Sequence, residues 1–443
     1  MSPEHVAIGM FGTLFVVLFL GHPLAFSLGA VAVLFGVIGW GGSPEVVFAM
    51  FANKTYGVME EYVLVAVPLF IFMAQMLDTS GVAEKLFHTM HVLLGPIRGG
   101  LGLAVIFVCT VFAASTGVVG ATEVAIGLLA APNLLKRGYD IPMTAGCICA
   151  GGTLGILIPP SIMLVVYGGL TNISVGKLFA AAMVPGLLLS FLYMVYVAVR
   201  CGINPKMGPP LPLEERTYSL SQKIVMALTS LFPPVFLIGI VLGSIVGGVA
   251  TTTEAAGLGA GGAMLLALAY GRLNWASVNE AAQSTLKITC MVMILFLGGN
   301  AFQSIFMGLG GGDAVSNLLL GLKVSPYVIL FIMMGIVFFL GCFIDWLGIL
   351  LIVVPVFAPV VDEIGFNTLW FGTLICVNLQ MAFLTPPFGY SLFYLRGIAP
   401  PEMTMGLIYK GVVPFICLQW VGLILCIFFP EIVLWLPRAF FGE

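Results

Sequence analysis

The chain carries apolar runs longer than a soluble core can use. Residues 178–199 and 224–248 each pass without one charged side chain. A stretch of about 20 mostly apolar residues is what a helix needs to cross a bilayer. Composition agrees: 60% of the 443 residues are hydrophobic and 8% are charged, 16 Lys and Arg with 19 Asp and Glu. Soluble domains carry about 25% charged residues, so these cannot cover a water-facing surface of this size. A soluble enzyme, a nucleic-acid binder and a disordered chain are excluded together. The net charge of −3 says nothing about partners.

Uninterrupted candidate spans fall at roughly 6–21, 24–40, 62–78, 178–199, 224–248, 255–270, 286–306, 325–341 and 405–429, with a short aromatic stretch at 431–441. Regions 99–168 and 327–396 are apolar but broken by Gly, Pro and polar residues at mid-depth. The long polar segment, Arg200–Lys223, reads as a loop between two halves. The N-terminus lacks a basic n-region, so its apolar run is expected to be an uncleaved helix. Nine scattered cysteines give no zinc or disulfide spacing, and four histidines form no HExxH. No GxxxxGK[ST] is present, so the chain has no nucleotide-binding signature of its own.

Lys and Arg set orientation, because cytoplasmic loops collect them. Placing Lys85, Arg98, Lys136, Arg137, Arg200, Lys206, Arg216, Lys223, Arg272, Lys287, Arg396 and Lys410 inside accounts for 12 of 16, and leaves Lys54, Lys177, Lys323 and Arg438 outside. Both termini are then periplasmic. Arg98 and Lys136 lie on one side, yet the residues between them are too few for two full spans of about 20 each plus a turn. A re-entrant hairpin with its tip at Ser115–Gly120 fits.

A second such unit follows. Pro132 and Pro359, Pro159-Pro160 and Pro386-Pro387, and Tyr167 and Tyr394 are all separated by 227 residues. The first hairpin starts from the cytoplasm and the second, after Lys323, from outside. Inverted repeats with discontinuous helices point to a secondary transporter with its site at the midplane. The breaks carry the chemistry. In residues 150–161 and 380–389 the prolines remove amide donors and leave carbonyls free. Bare carbonyls with a hydroxyl suit a small hard cation. Half-helix N-termini suit a carboxylate. A kinked but packed helix is the plainer reading of either motif alone.

A carboxylate inside the bilayer is a functional candidate by default. Asp345, at the second tip, reads as a site residue, an N-cap, or both. Glu123 and Glu254 read as site residues or capping carboxylates. Asn300, Gln303 and Ser304 either line the pathway or bond between helices.

Ser115–Gly127, Leu129–Asp140, Cys149–Tyr167 and Leu384–Gly389 resemble the large membrane subunit, DctM type, of tripartite ATP-independent periplasmic (TRAP) transporters. The resemblance covers essentially the whole chain. It implies a Na⁺-driven elevator with a small four-helix membrane subunit and a soluble periplasmic binding protein that delivers an organic acid. The first sodium site would use Ser115, Thr116 and Gly117 with carbonyls near Gly155, Ile158 and Pro160. The second would use Asp345, Ala382, Thr385 and Pro387. Many relatives carry Ser-Gly-Ser-Ser at the tip. Thr116-Gly117-Val118-Val119 departs from that and removes two hydroxyls.

The expected fold is an all-α polytopic membrane protein with about eleven transmembrane helices, nine uninterrupted and two broken, plus two re-entrant hairpins. Scaffold helices are expected at 1–98 and 224–324, repeat units at 99–199 and 325–396, a cytoplasmic loop at 200–223 and C-terminal helices at 397–443. Substrate is expected between the tips, at Ser115, Thr116, Gly117, Gly120, Asp345, Gly348 and Asn300. Bacterial inner membrane is the expected location. Competing readings are a carboxylate carrier without a binding protein, proton coupling through Glu123 and Asp345, a passive channel, and an intramembrane enzyme. No His lies within a predicted span, which disfavours the enzyme.

Overall fold

The computed structural model describes residues 3–117 and 119–442, and every regular element among them is helical. The first half comprises α1 (Pro3–Phe19), α2 (Leu24–Gly39), α3 (Pro44–Glu60), α4 (Ala66–Thr79), α5 (Val82–Leu94), α6 (Gly100–Thr116), α7 (Val119–Lys136), α8 (Ile141–Thr153), α9 (Ile162–Thr171) and α10 (Val175–Ile203). The second comprises α11 (Leu220–Val246), α12 (Thr252–Ala269), α13 (Trp275–Gly308), α14 (Gly311–Leu320), α15 (Pro326–Gly341), α16 (Trp346–Glu363), α17 (Thr368–Ala382), α18 (Tyr390–Ile398), α19 (Met405–Phe428) and α20 (Glu431–Phe441).

Each of the nine uninterrupted candidate spans corresponds to a helix. Among the described residues six helices are long and apolar enough to cross a bilayer: 62–79, 175–203, 220–246, 275–308, 346–363 and 405–428. α11 turns Ile224, Leu228, Phe232 and Val235 outward, all more than half exposed. Such a surface is stable against lipid and not against water. Three helices were not anticipated. α3, α5 and α14 are too short or too polar to span, so a hydropathy reading passes over them.

The 227-residue offset reaches far beyond the prolines. Val119 and Trp346 start helices, Lys136 and Glu363 end them, and Ile141 and Thr368 start the next pair. The N-caps repeat as well. Asp140 accepts from the Met143 amide at 3.0 Å, and Asn367 accepts from the Trp370 amide at 3.0 Å. A capping side chain satisfies an amide the helix cannot, so both breaks begin from the same local device. The match extends into the stretches expected as scaffold: Phe19 and Val246 end helices at that offset. Where the first half divides into α3, a short 3₁₀ turn and α4, the second has one 34-residue helix, α13.

Packing is reciprocal. α2 lies on α13 and α4 lies on α12; α8 lies on α19 and α10 on α17; α7 meets α18 and α9 meets α16. The two halves interlock instead of standing side by side. Small residues permit the closest crossing: a Cβ at Gly411 of α19 would lie 2.0 Å from the Pro142 carbonyl oxygen of α8.

The polar segment after α10 is not loose. Gly99 donates to Gly208, Asp140 to Met207 and Leu211 to Gly95, all backbone bonds of 2.8–3.1 Å. Arg137 adds an ion pair to Glu215 at 2.8 Å. The loop thus clamps the base of the α6–α7 hairpin.

Candidate functional site

The first tip is made by glycine. α6 ends where Gly117 turns left-handed at φ +63°. Its backbone presses on the first break, so closely that a Cβ would lie 2.4 Å from the Pro160 carbonyl oxygen. Thr116 Oγ1 and Thr122 Oγ1 lie 2.7 Å apart and close the turn from both arms. Ser115 donates its hydroxyl to Val111 of its own helix at 3.0 Å. Val118, inside the predicted Ser115–Gly120 tip, lies outside the described residues.

The first break follows from its sequence. α8 stops at Thr153, one 3₁₀ turn spans Leu154–Ile156, and α9 resumes at Ile162. Leu154 O accepts from Leu157 and Ile158, and Ile156 O accepts from Ser161 Oγ at 2.5 Å. The carbonyls of Gly155, Ile158 and Pro160 accept no hydrogen bond from any described residue, although all three residues are buried. A buried acceptor left unpaired costs about 1–3 kcal/mol, so these carbonyls are free to accept from water or an ion.

The second tip and break repeat this plan with differences. Asp345 caps α16, its Oδ2 accepting from the Leu347 amide at 3.4 Å. Gly341 abuts break two: a Cβ there would lie 2.4 Å from Ala382 Cβ. The Ala382 carbonyl already accepts from Thr385 N at 3.0 Å, and Thr385 Oγ1 donates to Met381 O at 2.9 Å. Pro386, Pro387 and Phe388 are exposed, whereas Pro159 and Pro160 are buried. Both Pro-Pro bonds are cis. The breaks touch at equivalent positions: Gln380 Nε2 lies 3.5 Å from Thr153 Oγ1, 227 residues away.

A cavity of about 420 Å³ joins these parts. Gly117, Val119 and Gly120 line it from one tip, Asp345, Trp346 and Leu347 from the other. Ile156, Ile162 and Met163 come from the first break, Phe383, Tyr390 and Tyr394 from the second, and α2 and α13 close it with 23–26 and residues between 288 and 295. Of the expected substrate residues, Gly117, Gly120 and Asp345 reach it. Ser115 and Thr116 do not line it. Gly348 packs beneath Leu24, where a Cβ would lie 2.6 Å away. Asn300 is not brought there; its amide donates to Phe296 O at 2.9 Å along α13, which satisfies it locally. Tyr390 and Tyr394 are additions to the expected site: the sequence marks Tyr394 only as the repeat partner of Tyr167, and two tyrosines after a break look like ordinary packing until the fold turns them inward.

The wall is mostly apolar, and Asp345 is its one charged side chain among the described residues. The amides opening α7 and α16 add positive dipole ends at the two tips. Glu123 is buried and bonded to Ser391, not in the first turn of α7. Glu254 makes a reciprocal capping box with Thr251, the amide of Thr251 donating at 2.8 Å.

A polytopic helical protein with paired tips and breaks around one cavity defines a membrane carrier. The model of the tripartite ATP-independent periplasmic transporter DctM component matches residues 11–432, and the chain belongs to that family as the large permease of a TRAP transporter. It is 32% identical to the C4-dicarboxylate TRAP transporter large permease DctM of Pseudomonas aeruginosa, covering 89% of this chain and 91% of that one. It is 31% identical to the isethionate TRAP transporter permease DctMQ of Oleidesulfovibrio alaskensis over 100% of this chain but 67% of that longer one. Its fold is similar to the YdaH transporter of Alcanivorax borkumensis, with a TM-score of 0.61, 15% identity and 99% of each chain covered.

Proposed function

We propose that this large permease imports a small organic acid by coupling it to Na⁺, receiving it from a periplasmic binding protein and working beside a small four-helix membrane subunit. The observation that carries the coupling is the sign of the cavity. Its one charged side chain is an acid, so cations arriving together with an anionic substrate would offset the repulsion that the helix N-termini alone leave. The three partnerless carbonyls at Gly155, Ile158 and Pro160, with the tip at Ser115–Gly117, supply oxygen ligands for one Na⁺. Asp345, Thr385 and Pro387 with Ala382 would hold a second. Substrate then lies between the tips, against the amides of α7 and α16.

The two halves read as inverted repeats in a bacterial inner membrane, with about eleven spans, two re-entrant hairpins and both termini periplasmic. α1–α5 and α11–α14 form a scaffold. The hairpins and broken helices form the body that crosses as an elevator. For the small subunit, support comes from the third of the longer isethionate permease that has no counterpart here. The test is uptake by the reconstituted complex of substrate offered on its binding protein. Uptake should follow an inward sodium gradient and stop in potassium. Equal uptake in both would refute the coupling.

A further inference from the structure

Beyond the cavity, a polar site joins the first hairpin to the second break. Next to Thr122 stands Glu123, 0% exposed. Its Oε1 accepts from Ser391 Oγ of α18 at 2.9 Å; its Oε2 has no N–H or O–H partner, with the Cys149 thiol of α8 beside the carboxyl. Ser391 Oγ also lies 3.5 Å from the Cys149 carbonyl of α8. The side chain packs over Gly152 of α8, where a Cβ would lie 3.0 Å from Glu123 Cβ. One carboxyl therefore touches both halves.

Nothing charged balances it. Among the described residues Glu123 makes no ion pair. The titratable groups facing it are the thiols of Cys149 and Cys109, from α8 and α6, and the Tyr394 phenol of α18. α4 and α5, also packed on α7, bring no charged side chain to it. Among the described residues no three acids, cysteines or histidines cluster as a metal site. A hard cation takes about six oxygens at more than 2 Å and needs room for them. The close packing at Glu123 offers neither, and an uncompensated carboxylate in an apolar interior costs many kcal/mol. A proton needs no space.

We propose that Glu123 is a proton-binding site linking the two repeats. Oε2 takes one proton from water and returns it to water, while Ser391 keeps donating to Oε1; no other bond changes. The Thr116–Thr122 hydroxyl pair ties the first turn of α7 to the tip, so ordering of that tip changes the setting of Glu123. Only this link to sodium rests on the proposed function above.

The test uses the full chain, co-purified with its membrane partner in nanodiscs, with protons and NaCl against KCl as probes. Infrared difference spectra should show a protonated carboxylic-acid stretch that responds reversibly to pH. The band should vanish in Glu123→Gln and persist in Asp345→Asn. Ser391→Ala, which keeps the acid but removes its donor, should move the band to higher frequency; this variant serves if Glu123→Gln does not fold. No such band, a band that never titrates, or one indifferent to both substitutions overturns the proposal. A titrating band with no response to sodium leaves the proton site standing and overturns its link to the tip.

Discussion

Gly117→Ala examines the contact on which the proposed first sodium site depends. Two penalties coincide there. The residue sits at φ +63°, where a Cβ costs about 1–2 kcal/mol. The new Cβ would also lie 2.4 Å from the Pro160 carbonyl oxygen. Real carbon–oxygen contacts stay above roughly 3.2 Å, so tip and break must separate by about 1 Å. The obstructing atom is backbone and cannot rotate away. A binding constellation tolerates about 0.5 Å of displacement, so sodium affinity should fall at least tenfold, about 1.4 kcal/mol. The assay is the thermal midpoint of the purified permease complex across a NaCl series at constant ionic strength. Gly335→Ala is the control, because a Cβ there meets nothing within 4 Å. Gly117→Ala should need at least ten times more sodium for half the stabilisation, with Gly335→Ala unchanged. A wild-type sodium midpoint in Gly117→Ala would refute the reasoning.

Asp345→Asn should retain the α16 cap, since asparagine also accepts, yet weaken sodium-driven uptake at least tenfold at equal expression; unimpaired uptake would remove Asp345 from the ion site. Gly298→Ala places a Cβ 2.4 Å from the Ala25 carbonyl where α13 crosses α2, and should cost about 1–3 kcal/mol, read as a lowered thermal midpoint without altered sodium response. At the loop clamp, burial and then Arg137 push His91 below its ordinary 6.5, while the Arg137 hydrogen bond holds Glu215 below the usual carboxylate range. The native state therefore binds fewer protons than the unfolded chain at both residues. His91 contributes stability above about pH 6.5 that is lost as pH falls through its folded value, and Glu215 adds a further loss at lower pH. Hydrogen exchange of residues 204–219 should rise as pH drops below 6.5, and His91→Gln should flatten that rise; identical profiles would contradict it. Arg137→Met should cost less than about 1 kcal/mol, because its partner is exposed.

Much of this architecture was legible because lipid imposes simple rules. Uncharged runs of span length became helices; Pro159-Pro160 and Pro386-Pro387 fall at breaks, whereas Pro233-Pro234 stays inside α11. The offset between Pro159 and Pro386 pointed to the internal repeat, and helix boundaries extend it into both expected scaffolds. Other features depend on tertiary placement. Asn300 reads equally as pathway lining or as a hydrogen-bonding residue, and its amide bonds Phe296 O of its own helix. Tyr390 and Tyr394 gained their place from the turn at Gly389. Glu123 was weighed as a cap because it follows a tip, yet α7 starts at Val119 and carries it past the first turn into the interface with α18. α3 is too polar and α5 and α14 too short to read as spans, so hydropathy passes over them.

The most direct measurement is a pair of high-resolution maps of the permease complex, one in sodium and one in potassium. The account predicts density in sodium alone, between the Ser115–Gly117 tip and the carbonyls of Gly155, Ile158 and Pro160. Indistinguishable maps, with those carbonyls bonded to water in both salts, would contradict it.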